Sequence, residues 1–189
     1  IVARQQADEV RHGLEMLRLL RLFGPEGEAL EGDVLRRRLG EHFLPAFNVP
    51  LETWPDVLAH ACLMDRVGEY QLRSMADCSF APLARAIGPI VEEERMHPSY
   101  GTRGLARMAR GEDAFGTPAD AQAAIDRWWP RALATFGKAH SQTAERMVYY
   151  GMRDALPNAI RAQYITDVGA ILADIGLRVP PVPAEYQSA

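Results

Sequence analysis

IVARQQADEVRHGLEMLRLLRLF, running from Ile1 to Phe23, is the stretch from which the fold can be read. Val2, Ala3, Ala7, Val10, Leu14, Leu17 and Leu20 recur every three or four residues, the period of an amphipathic α-helix, and Gly24-Pro25 ends the pattern. Within it Glu9 and His12 stand three apart, so one carboxylate and one imidazole leave the same helix face. The stretch EEERMH, Glu92 to His97, repeats that arrangement with Glu94 and His97.

Working outward, the rest of the chain keeps the helical period. Glu26 to Leu44 reads as a short exposed helix with loops; its Arg36-Arg37-Arg38 run reads as a solvated face that also offers contacts to the phosphate of an acyl carrier. Thr53 followed by Pro55 and Asp56 is a helix start, because a hydroxyl can accept from the first free N–H groups and proline lacks the N–H that would go unpaired. This predicts a helix from Pro55 to Ala76. A second runs from Ser79 to His97, with Pro82 near its start, a kink at Pro89 and a stop at Pro98. Thr117-Pro118 opens another helix, through Trp128 and Trp129 to Gly137. Gln142–Met152 and Pro157–Ile175 follow, and residues 179–189 form an extended, proline-rich tail. No alternating segment is long enough for a sheet, so the class is all-α, one helical domain over residues 1–189.

Composition narrows the function. With 189 residues, 48% of them hydrophobic, the chain can build a core, and 21 Lys and Arg against 25 Asp and Glu leave no basic stripe for a nucleic-acid backbone. No apolar run approaches the ~18–20 residues that span a bilayer, so no membrane role is expected. Cys62 and Cys78 alone cannot form a disulfide scaffold and read as buried thiols in a reducing, cytoplasmic setting.

The two Glu-x-x-His pairs carry the chemistry. One such match means little, but two on separate helices, joined by an acid from each of two further helices, form the di-iron or di-manganese centre of ferritin-like bundles. The third-helix acid is present as Asp65 or Glu69, four apart in LMDRVGEYQL. Carboxylates and imidazoles suit iron and manganese, and two divalent ions in a low-dielectric bundle need about four carboxylates for charge balance. Glu9, Glu94 and one of Asp65 or Glu69 make three. The chain opens at Ile1 already inside a helical pattern and without a cap, so the expectation is that a first bundle helix with the fourth acid is missing from it.

DEVRHG (Asp8–Gly13), FNVP with Trp54 and Asp56 behind it, LMD ending at Asp65, CSFAPLARAI (Cys78–Ile87) leading into EEERMH, and DRWWP (Asp126–Pro130) occur in one order and spacing. In these pieces the chain resembles the catalytic-subunit family of ring-1,2-phenylacetyl-CoA epoxidases, ferritin-like di-iron monooxygenases of phenylacetate catabolism. The resemblance implies that Glu9 and His12 bind one iron, Glu94 and His97 the other, and that Asp65 is the third-helix ligand. Glu69 departs from the family's apolar residue and is read as catalytic: an extra ligand, a proton donor or an acid narrowing the substrate channel. Arg85, aligned with a family arginine, is expected to hold an outer carboxylate.

The implied reaction inserts one oxygen atom of O2 into the aromatic ring of an aryl-acyl-CoA, giving a ring epoxide. Electrons would come from NADPH through a separate flavin and iron–sulfur reductase, since the chain lacks both a dinucleotide loop and four cysteines for a cluster. Oligomerisation with a structural ferritin-like partner is implied as well. Two alternatives stand beside this reading: a metal-free scaffold component of the same complex, and a di-iron oxygenase of another substrate. Leu63, Val67 and Phe80 are expected to line the cavity. His42, His60 and His140 read as ordinary surface or core histidines, and at least one of Trp128 and Trp129 as packing against another helix or protomer.

Overall fold

The computed structural model describes residues 2–138 and 141–187; His140 lies outside the described residues. Every regular element among them is helical. α1 spans Val2–Leu20 and tightens into a 3-10 turn at Arg21–Phe23. Gly24, at φ +70°, then reverses the chain into α2, Pro25–Arg36. α3 covers Trp54–His60, passes through one π-helical turn at Ala61–Asp65 and continues as α4, Arg66–Arg73. α5 (Ala81–Glu94) and α6 (Met96–Ala109) form the next rod, followed by α7 (Pro118–Thr135), α8 (Gln142–Tyr149) and α9 (Pro157–Asp174). This is the all-α, ferritin-like helical bundle with additional C-terminal helices that the sequence predicts.

The expected caps are in place. Thr53 accepts from the Asp56 N–H, and Thr117 and Asp120 complete a reciprocal capping box. Pro98 behaves differently from expectation. It does not stop the helix; it sits in the first turn of α6, where its missing N–H would have no partner in any case. Because Pro98 cannot donate to Glu94 four residues back, the rod breaks at Arg95, whose φ and ψ of −55° and −24° keep the path nearly helical. Glu94 and His97 thus straddle a break, yet still face each other. α5 runs through Pro89 as one helix.

The core lies where α3, the π turn, α6, α7 and α9 meet. Trp128 and Trp129 are both 0% exposed. They leave α7 about 100° apart, on different faces: Trp128 sends its indole N–H to Asp56 on α3, and Trp129 stacks on Tyr164 of α9 with centroids 6.0 Å apart. One residue therefore anchors α7 to each neighbour, and neither requires another protomer. Gly101 of α6 lies flat on the π turn, since an added Cβ would fall 2.4 Å from the Cys62 nitrogen and 2.6 Å from the Leu58 oxygen. α1 packs outside this core against α5. The tail from 179 is extended as far as a single turn at Ala184–Tyr186, where Arg161 lies 4.4 Å over the Tyr186 ring. Both cysteines are buried and unpaired, and no described helix is long and apolar enough to cross a membrane.

Candidate metal centre

α1 and the α5–α6 junction bring the two Glu-x-x-His pairs together, and the pairs cross. His12 Nδ1 lies 2.7 Å from Glu94 Oε1, and His97 Nδ1 lies 3.1 Å from both Glu9 Oε1 and Glu94 Oε2. Glu9, Glu94 and His97 each offer a donor atom within 4.8 Å of the others. His12, Glu94 and His97 are each 5% exposed, while Glu9 opens to solvent. Helical spacing places each pair on one face; only the packing of α1 on α5 decides that each histidine meets the other pair's carboxylate.

A second layer of charge stands behind the imidazoles. Glu93 accepts at 2.7 Å from His12 Nε2, and Asp8 lies 3.8 Å from His97 Nε2. Arg11 donates to both acids, at 2.9 Å to Asp8 and 2.7 Å to Glu93, and so ties α1 to α5. Its guanidinium helps hold both carboxyls below their ordinary range, acting second to the His12 bond at Glu93. Arg85, expected in such a role, is exposed; Arg11 fills it.

Asp65 ends the π turn with its carboxylate almost fully buried. Oδ2 accepts from Gln5 of α1 at 2.5 Å, and Oδ1 lies 3.4 Å from His60 Nδ1. Burial pushes the Asp65 carboxyl up, while neighbouring His60 and His97 pull the other way. Around His97 the two carboxylates, Glu9 and then Glu94, push the imidazole up to about 10. The donor set fits a divalent metal ion. Glu94 is buried against two imidazoles and, among the described residues, pairs with no arginine or lysine, and oxygen with imidazole nitrogen is the chemistry that iron and manganese select.

Glu9, His12, Asp65 and Glu94 line one cavity of about 590 Å³. Its apolar wall comes from Val10, Met16, Val57, Met64, Leu72 and Ile90. His97 faces a smaller cavity of about 170 Å³ on the other side, beside Arg4, Tyr100 and Arg103.

This arrangement coincides with a match over residues 2–188 to the family described as phenylacetic acid catabolic protein. The chain belongs to that family. It is 25% identical over 182 residues to one of the subunits of 1,2-phenylacetyl-CoA epoxidase from Escherichia coli (strain K12), which covers 95% of this chain and 58% of that protein. It is 35% identical over 106 residues to benzoyl-CoA oxygenase component B of Aromatoleum evansii, across 53% of this chain and 22% of the relative. The chain therefore spans a little over half of the first relative's length and about a fifth of the second's.

Several sequence expectations need correction. Glu69 does not join the cluster: its carboxylate turns to Arg73, 2.5 Å away, and it is absent from the cavity wall. A catalytic role for it has no geometric support. Leu63 and Val67 point into the core instead of the cavity, and Phe80 packs on Phe23 with centroids 5.4 Å apart. Sequence reasoning misses Gln5, Asp8, Glu93 and His60. Asp8 and Glu93 carry a signal, since each directly precedes a ligand-type glutamate. Nothing in the helical period points to His60.

Proposed function

We propose that this chain is the metal-binding part of an oxygenase component that acts on an aryl-acyl-CoA, inserting one oxygen atom of O2 into the aromatic ring, with phenylacetyl-CoA as substrate. The observation that carries this is the convergence of Glu9, His12, Glu94 and His97 from α1, α5 and α6, with the first three on the wall of a largely apolar cavity. Family membership and the two relatives, both named for acyl-CoA oxygenation, support it.

In this reading Glu9 with His12 and Glu94 with His97 hold two irons, Asp65 adds a carboxylate from the π turn, and manganese would suit the same donors. Two bound irons supply the redox chemistry by which O2 is activated. The residues of this chain do the rest. Arg11 fixes Asp8 and Glu93, which orient the imidazoles; the carboxylates balance the metal charge; Val10, Met16, Met64 and Ile90 exclude water and receive the aromatic ring. Electrons are assigned to NADPH through a separate flavin and iron–sulfur reductase, and a ferritin-like structural subunit is the partner.

The test is ferrous-iron loading followed by NADPH-dependent O2 uptake with the reductase and the structural partner, comparing phenylacetyl-CoA with benzoyl-CoA. Two irons per chain and uptake with phenylacetyl-CoA are expected; uptake with benzoyl-CoA alone would reassign the substrate. His97→Ala should lose bound iron while keeping its helicity, and unchanged stoichiometry would overturn the ligand assignment.

A further inference from the structure

His60 touches Asp65 and lines the same cavity, and the DRWWP segment meets it there. In a regular α-helix residues five apart point about 140° away from each other and cannot touch. His60 and Asp65 are five apart and in contact, with Nδ1 3.4 Å from Oδ1, because the π turn at Ala61–Asp65 inserts the extra residue that closes the angle.

That turn is built to persist. Side chains brace its carbonyls: Tyr164 Oη donates to the Leu63 oxygen at 3.0 Å, beside the Arg66 backbone N–H that the same oxygen accepts, and Arg66 Nε donates to the Cys62 oxygen at 3.2 Å. Gly101 lets the α6 backbone lie directly against it. The His60 ring is set edge-on to Trp128, with centroids 5.1 Å apart and planes at 81°. Trp128 is fixed in turn by Asp56, which accepts its indole N–H at 2.9 Å, two bonds from Arg127 at 2.7 and 2.8 Å and one from Thr53 at 2.7 Å.

We propose that His60 is a positioning residue for the Asp65 carboxylate. Gln5 donates to Oδ2 at 2.5 Å and His60 Nδ1 lies 3.4 Å from Oδ1, so both oxygens are flanked and the carboxylate is steered on the wall it shares with Glu9 and Glu94. The Trp128–Asp56–Arg127 group holds the imidazole. This rests on the assignment of Asp65 to the metal centre.

The test titrates Fe²⁺ alone, anaerobically and against a ferrous chelator, into the full chain and its H60A, H60Q, D65N and H60A/D65N variants, with helicity followed by circular dichroism. His60→Ala should weaken iron binding about 10- to 100-fold at unchanged stoichiometry. His60→Gln, whose amide N–H replaces the imidazole donor, should recover most of that affinity. In the D65N background, removing His60 should cost nothing further. Wild-type affinity in H60A alongside a weakened D65N would overturn the positioning role and leave the metal assignment standing. Wild-type affinity in D65N would overturn both. Lower stoichiometry in both H60A and H60Q would make His60 a ligand, which also overturns the proposal.

Discussion

Gly101→Ala is the sharpest probe of how the π turn is held. Its Cβ would meet backbone on the facing rod, the Cys62 nitrogen at 2.4 Å, the Leu58 oxygen at 2.6 Å and the Ala61 carbonyl carbon at 2.9 Å, where ordinary contact begins at 3.4 Å. No side chain can rotate away, so α6 must retreat locally by about 1 Å, an overpacking cost of about 1–3 kcal/mol. Against this, alanine gains about 1 kcal/mol over glycine inside a helix. The net expectation is destabilisation by up to about 2 kcal/mol, a fall in melting temperature of up to about 8 °C for a chain of this size. Gly88, inside α5 with nothing within 4 Å of an added Cβ, is the internal control. Gly88→Ala should collect the propensity gain alone and melt about 1–4 °C higher. Because His97 lies one turn before Gly101 in α6, G101A should also weaken ferrous-iron binding while G88A does not. Thermal melts followed at 222 nm decide it: if both variants rise together, α6 does not approach the π turn so closely in solution.

Two further outcomes follow from the same contacts. The imidazole of His97 carries a pKa raised from 6.5 to about 10 by Glu9 and Glu94, so its stabilising contribution to the metal-free chain is complete below about 6.5, declines above that and is lost once pH passes 10. Urea midpoints should fall across that window in the wild type and flatten in His97→Gln; the same slope in both would remove His97 as the cause. Asp56→Ala should cost about 3 kcal/mol, because it leaves the buried Trp128 indole without an acceptor and Arg127 without its carboxylate. Asp56→Asn, which keeps an acceptor, should cost less, and equal losses would show that the indole bond contributes nothing.

Much of this is legible in the sequence because helices advertise themselves locally. The 3.6-residue period marks the long helices, Thr53 and Thr117 mark two starts, and the i, i+3 spacing singles out Glu9, His12, Glu94 and His97 without any knowledge of packing. What spacing cannot carry is the register between helices. It says that Glu9 and His12 share a face, and nothing about His12 meeting Glu94 and His97 meeting Glu9. Pro98 misleads for a related reason: a missing N–H is as compatible with a first turn as with an end, and the chain uses it to begin α6.

The misreading of His60 has a definite origin. A sequence read on a 3.6-residue period has no symbol for a π turn, and one extra residue rotates everything after it by about 100° relative to everything before. On that period His60 falls on another face from Asp65, at i+5, yet the structure sets the two in contact. Glu69 lies beyond the turn, in regular α-helix four residues after Asp65, and is drawn off by a partner of its own, Arg73. The structure also gives a purpose to residues that otherwise look like packing alone. Trp128 and Asp56 set the side from which His60 approaches, while Tyr164 and Gly101 support the irregular turn that makes the approach possible. The buried tryptophans of α7 and the acidic centre on α1 are thus joined through a single π turn, and the geometry of that turn decides which way the third carboxylate points.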